Sequence, residues 1–112
     1  MAIGHFEIKK ARNGRYHFEL KASNGEIILT SELYATKASA ENGISSVQHN
    51  APEETQYEIK QSSTNQPYFV LKARNYQVIG ISELYSSVSA ARHGILAVTR
   101  HGTSTDIRDL TH

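Results

Sequence analysis

Apolar and charged side chains alternate along Phe6-Glu7-Ile8-Lys9-Lys10, and again along Tyr16-His17-Phe18-Glu19-Leu20-Lys21. A period of two predicts strands with one buried face. Between them, Ala11-Arg12-Asn13-Gly14-Arg15 carries the residue types of a hairpin. Matching the faces sets the loop length. A two-residue Asn13-Gly14 turn would put Ile8 opposite Glu19. A three-residue loop, Arg12-Asn13-Gly14, puts Ile8 opposite Phe18 and Phe6 opposite Leu20, with Gly14 at the left-handed position such loops use. After Ser23-Asn24-Gly25, the run Glu26-Ile27-Ile28-Leu29-Thr30 is apolar on successive positions, the mark of a central strand or one covered on both faces. Thr36 is suited to cap a helix. Ala40, Gly43, Ile44 and Val47 then follow the i, i+3, i+4, i+7 rule through about His49, with Lys37, Glu41, Asn42, Ser45 and Gln48 elsewhere.

The whole pattern then occurs a second time, 51 residues further on and without insertion or deletion. Ser31-Glu32-Leu33-Tyr34 returns as Ser82-Glu83-Leu84-Tyr85, Glu7-Ile8-Lys9 as Glu58-Ile59-Lys60, and Leu20-Lys21-Ala22 as Leu71-Lys72-Ala73. Ser87 takes the capping place, and a second helix is predicted from about Val88 to His101 with Ala91, Gly94, Ile95 and Val98 on one face. Gly43 and Gly94 stand at the same helical position, where glycine costs up to about 1 kcal/mol relative to alanine. Close approach of the helix to the sheet or to the other helix accounts for both. Asn65 replaces Gly14, a tolerable exchange at positive φ. Tyr76 replaces Gly25, which is not, so this second loop is either differently shaped or strained. Gly80-Ile81 replaces Leu29-Thr30.

Asn50-Ala51-Pro52-Glu53-Glu54-Thr55 is too short to separate independent domains, and one half alone would bury too little to be secure. Residues 1–112 are therefore expected to form a single domain of two repeats, about 5–51 and 56–102, with a tail at 103–112 that either adds a short edge strand or frays. The fold class is α+β: two tandem strand-strand-strand-helix repeats packed about a pseudo-twofold axis, an antiparallel sheet with helices packed against it. The expected core is Phe6, Ile8, Phe18, Leu20, Ile28, Leu33, Ile44 and Val47, with Tyr57, Ile59, Phe69, Leu71, Ile79, Leu84, Ile95 and Val98. The assembly expected is a monomer containing an internal pseudo-dimer.

Composition narrows the chemistry. The 112 residues include no cysteine, which excludes disulfides and thiolate metal sites. The net charge of +1 is spread along the chain and announces no strongly basic nucleic-acid surface. Met-Ala-Ile-Gly-His lacks a basic region followed by an apolar run, and nothing has the length of a membrane span, so a cytoplasmic protein without membrane association is expected.

The string Leu20-Lys21-Ala22-x-Asn24-Gly25-Glu26-x-Ile28-x-x-Ser31-Glu32-x-Tyr34, followed by a helix with Gly43-Ile44-x-x-Val47, resembles the YegP-like family of small bacterial tandem-repeat proteins of unknown function. The resemblance covers nearly the whole chain in both copies. It implies strand-strand-strand-helix repeats, with single-repeat relatives pairing as homodimers, and it implies no catalytic residues. Tyr76 and Gly80-Ile81 depart from the pattern.

Three functional readings arise. The leading one is a non-catalytic binding or protein-interaction module presenting two near-equivalent surfaces beside Glu32/Tyr34 and Glu83/Tyr85. The second is weak nucleic-acid association through Arg92, His93, Arg100 and His101, against which stands the ordinary preference for basic residues near a helix C-terminus. Lys9, Lys21, Lys60 and Lys72, with Tyr16 and Tyr68 near loops, could stack and hold single strands. Glu7, Glu19 and Glu58 on the same face offer cross-strand partners instead. The third reading is a small hydrolase using Ser31/Glu32 or Ser82/Glu83. Capping and corner packing explain the same residues, and no histidine occupies matching places in the two copies. His5, His17, His49, His93, His101 and His112 are scattered without the spacing of a zinc helix, so neither metal nor cofactor is expected.

Overall fold

The computed structural model describes residues 3–111. Each repeat contributes three strands and a helix: β1 (His5–Lys10), β2 (Tyr16–Lys21), β3 (Ile27–Thr30) and α1 (Lys37–Asn50), then β4 (Tyr57–Gln61), β5 (Pro67–Lys72), β6 (Val78–Ile81) and α2 (Val88–His101). A seventh strand, β7 (Ile107–Asp109), follows. All seven lie in one sheet of order β4-β5-β6-β3-β2-β1-β7.

The first hairpin has the register that face matching requires, with Ile8 opposite Phe18 and Phe6 opposite Leu20. Gly14 takes φ +81° and Asn65, its counterpart, φ +62°. Tyr76 enters the same left-handed region at φ +68°, beside φ +87° for Gly25. The two turns have one shape: Gly25 N–H donates to Ala22 O and Tyr76 N–H to Ala73 O, both at 2.9 Å. Asn24 and Asn75 accept, through Oδ1, from Glu26 N–H and Gln77 N–H at 3.0 and 3.1 Å. The turn is thus imposed by its ties, and Tyr76 bears the strain while standing 80% exposed.

The halves meet where β3 and β6 pair antiparallel through Thr30 and Ile81. These are equivalent positions of the two repeats, and a residue that pairs with its own copy puts the pseudo-twofold axis between the two. The axis explains the departure at Gly80. Its counterpart is Leu29, and a Cβ on Gly80 would fall 2.5 Å from Leu29 Cδ2. Two large side chains cannot occupy one place beside a twofold axis, so leucine stands on one side and glycine on the other.

Both helices cover one face of the sheet and cross the seam, α1 touching β5 and β6 as well as β1 and β2, and α2 touching β2 and β3 as well as β4 and β5. Phe6, Ile8, Phe18, Leu20, Leu29, Ile44 and Val47 form one continuous buried cluster with Phe69, Leu71, Ile79 and Val98. Leu33 and Leu84, expected in it, lie 47% and 49% exposed. Tyr57, Ile59 and Ile95 are only half-buried.

The tail takes the edge-strand alternative, with a direction that departs from the antiparallel expectation: β7 pairs parallel to β1, Phe6 with Ile107 and Ile8 with Asp109. The reason is positional. Arg108, Asp109 and Leu110 stand one repeat interval after Tyr57, Glu58 and Ile59, so the tail is the opening of a third copy. The twofold carries the chain leaving α2 toward the place that β1 already holds. Arriving in the direction of β1, it lies alongside.

Candidate functional site

In the repeated tetrapeptide, serine and tyrosine are structural. Ser31 N–H donates to Phe18 O, and Ser31 Oγ accepts from Phe18 N–H, both at 2.9 Å. Ser31 Oγ donates to Glu32 O at 2.7 Å. Ser82 repeats this with Phe69 N–H at 2.9 Å and Glu83 O at 2.8 Å. Each serine ends the regular ladder, and pairing resumes at the tyrosine, where Tyr34 N–H donates to Tyr16 O at 2.6 Å and Tyr85 N–H to Pro67 O at 2.7 Å. Neither hydroxyl has a histidine or carboxylate among its hydrogen-bond partners.

The tyrosine rings explain the helix glycines. Tyr34 stacks on Phe18, centroids 6.2 Å apart and planes 14° apart, and Tyr85 stacks on Phe69 at 6.1 Å and 15°. A Cβ on Gly43 would meet Tyr34 Oη at 2.5 Å, and one on Gly94 would overlap Tyr85 Oη. The close approach is therefore to a ring wedged between helix and sheet. Burial, then the nearby Glu32 charge, raises the Tyr34 phenol above its ordinary range; burial, then Glu83 and Glu26, does the same for Tyr85.

What points outward is the middle pair. Glu32 and Glu83 are exposed, each next to a half-exposed leucine, while Tyr34 and Tyr85 are half-buried beneath. The sequence reading paired the glutamates with the tyrosines and assigned the leucines to the core. Twofold repetition of an exposed Glu-Leu pair is the feature it missed. Strand alternation held no signal for it, because β3 and β6 end at Thr30 and Ile81, and Glu32 and Leu33 bulge together between the Phe18–Ser31 and Tyr16–Tyr34 pairings.

The proposed basic patch loses one member. His101 is 6% exposed, and its Nδ1 accepts from Gly4 N–H at 2.8 Å, tying the start of β1 to the end of α2. Burial, then neighbouring Arg100, holds it below the ordinary histidine range. Its place was legible: it continues the buried stripe Ala91, Gly94, Val98. Arg92, His93 and Arg100 are exposed on α2, and among the described residues neither arginine pairs with a carboxylate. Of Lys9, Lys21, Lys60 and Lys72 on the sheet, three are paired with carboxylates, whereas Lys60, in register with Tyr68, has no such partner among the described residues. Lys9 reaches Glu19 at 2.7 Å and Glu7 at 3.6 Å, Lys21 reaches Glu7 at 3.1 Å, and Lys72 bonds Glu58. Hydrogen bonding from His5, outweighing burial, together with Lys21 and Lys9 holds the Glu7 carboxyl down to about 2. Tyr16, in register with Lys10 and on the face of Phe18, lies on the helix side, so it offers no stacking platform beside these lysines. Among the described residues no cluster of three metal-ligating side chains exists, and His112 lies outside them. No helix among them is long and apolar enough to cross a membrane.

This geometry defines a class: tandem-duplicated α+β proteins whose two halves share one sheet about an internal twofold. Residues 11–58 and 62–109 each match the family described as Domain of unknown function (DUF1508), and the chain belongs to that family. Each matched unit runs through a helix into the strand beyond, so β7 ends the second as β4 ends the first. The chain is 68% identical to the UPF0339 protein YegP of Yersinia pestis, over 99% of both chains. It is 56% identical to the UPF0339 protein plu2779 of Photorhabdus laumondii, over 99% of this chain and 97% of that one. Two solution NMR structures share the fold. That of yegP from E. coli, a protein of unknown function, has TM-score 0.93 and 47% identity, covering 99% of this chain and 96% of its own. That of UPF0339 protein SO3888 from Shewanella oneidensis has TM-score 0.92 and 49% identity, covering 98% and 93%.

Proposed function

We propose that the chain is a non-catalytic interaction module of the cytoplasm, working without cofactor, whose contact points for a protein partner are the corners Glu32-Leu33 and Glu83-Leu84. One observation carries this reading: both copies turn serine and tyrosine inward and leave a leucine about half exposed (47% and 49%) beside an exposed glutamate. Tyr34 and Tyr85 form the floor that holds each corner rigid. An apolar side chain next to a carboxylate suits a partner with apolar and basic groups, and twofold repetition allows two such elements to bind at once. The test is amide chemical-shift mapping of the labelled chain against lysate fractions, metabolites and nucleic acids. Shifts at both corners that vanish in a Leu33→Asp/Leu84→Asp variant are expected. Corners that never respond defeat the reading.

Exposed Arg92, His93 and Arg100 favour a second reading, weak nucleic-acid association. Titration with single-stranded DNA or RNA separates the two, since affinity through α2 falls as salt rises and absence of binding at low salt removes it. The hydrolase reading has the least support, because both serine hydroxyls are engaged by backbone groups.

A further inference from the structure

The twofold makes the two outer edges of the sheet comparable, and they differ in one respect. The β1 edge carries β7; the β4 edge carries no strand among the described residues. Phe6 and Ile8 on the covered edge are 0% and 1% exposed, whereas their counterparts Tyr57 and Ile59 are half-buried. A groove of about 560 Å³ runs there between β4 and α2, lined by Tyr57, Ile59, Ile95 and Leu96, with Arg92 and Glu54 at its rim. Leu96 is 54% exposed.

We infer that the β4 edge is a docking site for an extended, acidic-apolar peptide segment that adds a strand parallel to β4, as β7 does on β1. The covered edge shows how. Phe6 N–H donates to Asp106 O at 2.9 Å, Leu110 N–H donates to Ile8 O at 2.8 Å, and Lys37 forms an ion pair with Asp109. On the β4 edge Tyr57 N–H already donates to Glu54 O, so Ile59 offers the outward carbonyl and binding is weak and reversible. Two differences set the choice of segment. Val88, 40% exposed, replaces Lys37, so the residue in the place of Asp109 is apolar. Arg92 replaces Glu41, so a carboxylate is favoured near the place of Ile107. A second copy fits less well, because twofold pairing of β4 with β4 brings the groove-lining Arg92 of each copy toward the other, like charge against like.

The probe is a synthetic peptide of residues 104–111 carrying Ile107→Glu and Asp109→Val, titrated into the labelled full chain. Amide shifts and slowed exchange are expected over 57–61 and along Arg92–Leu96, with the peptide carrying Ile107→Glu alone binding more weakly. The Val88→Lys variant should reverse that preference by roughly two- to fivefold, the size of one exposed ion pair. The inference is overturned if millimolar peptide leaves β4 unmoved, if shifts are confined to β1 and β7, if Val88→Lys leaves the preference unchanged, or if sedimentation shows the edge closed by a second copy.

Discussion

Leu29 and Gly80 share one space beside the pseudo-twofold, so the large residue should be transferable from one side to the other. Leu29 is 1% exposed, and its side chain sits where a Gly80 Cβ would be. Leu29→Gly empties a buried site and adds a flexible strand residue, for an expected loss of about 3–5 kcal/mol. Gly80→Leu alone drives a second side chain into occupied volume and should lose about 1–3 kcal/mol or more. The double exchange, Leu29→Gly with Gly80→Leu, refills the same space from the opposite strand. It should fall within about 1–2 kcal/mol of the parent, which makes the coupling between the sites at least about 2 kcal/mol. Urea denaturation of the four proteins measures this, provided the m-values agree so that midpoints report stability. A double variant whose loss equals the sum of the singles would refute a shared space, and with it the placing of the axis.

Other outcomes follow from local geometry. Tyr76→Gly, at φ +68°, should raise stability by roughly 0.5–1 kcal/mol, since relief of the left-handed strain exceeds the entropy glycine adds; a lowered denaturation midpoint would contradict this. Gly43→Ala should lower stability by about 1–3 kcal/mol despite the better helix propensity of alanine, because its Cβ meets Tyr34 and Phe18; a thermal melt decides. The Glu7 carboxyl is held at about 2 in the fold against its ordinary 4.5, so its contribution is full above 4.5 and is lost as pH falls toward 2. His101, lowered from its ordinary 6.5, likewise supports the fold above that value and loses its contribution on acidification. Denaturation midpoints measured from pH 7 to 2 should therefore decline in both regions, and Glu7→Gln should flatten the lower one.

Much of this architecture is legible in the residues because its causes are local. The register of the first hairpin follows from which faces of Ile8 and Phe18 are apolar, and the helix starts follow from Thr36 and Ser87, whose hydroxyls accept from Ser39 N–H and Ala90 N–H. The features that escaped depend on distant parts of the chain. No local pattern says that Ile107 will lie beside Phe6, since a parallel partner leaves no mark on the sequence between them. Leu33 and Leu84 look like packing residues until the corner is built and faces outward. The candidate site divides in the same way: the repeat drew attention to the right tetrapeptide, but only the bulged pairing shows which two of its four side chains are offered to solvent.

The parallel β7 has a consequence for how such chains can grow. A solenoid admits any number of units because each new one finds a vacant neighbour; here the second unit returns to the first and the circle is shut. A third would arrive at an occupied berth, as the opening residues of one already do. Two is therefore the only count that closes, and a single unit would have to borrow its other half from another molecule.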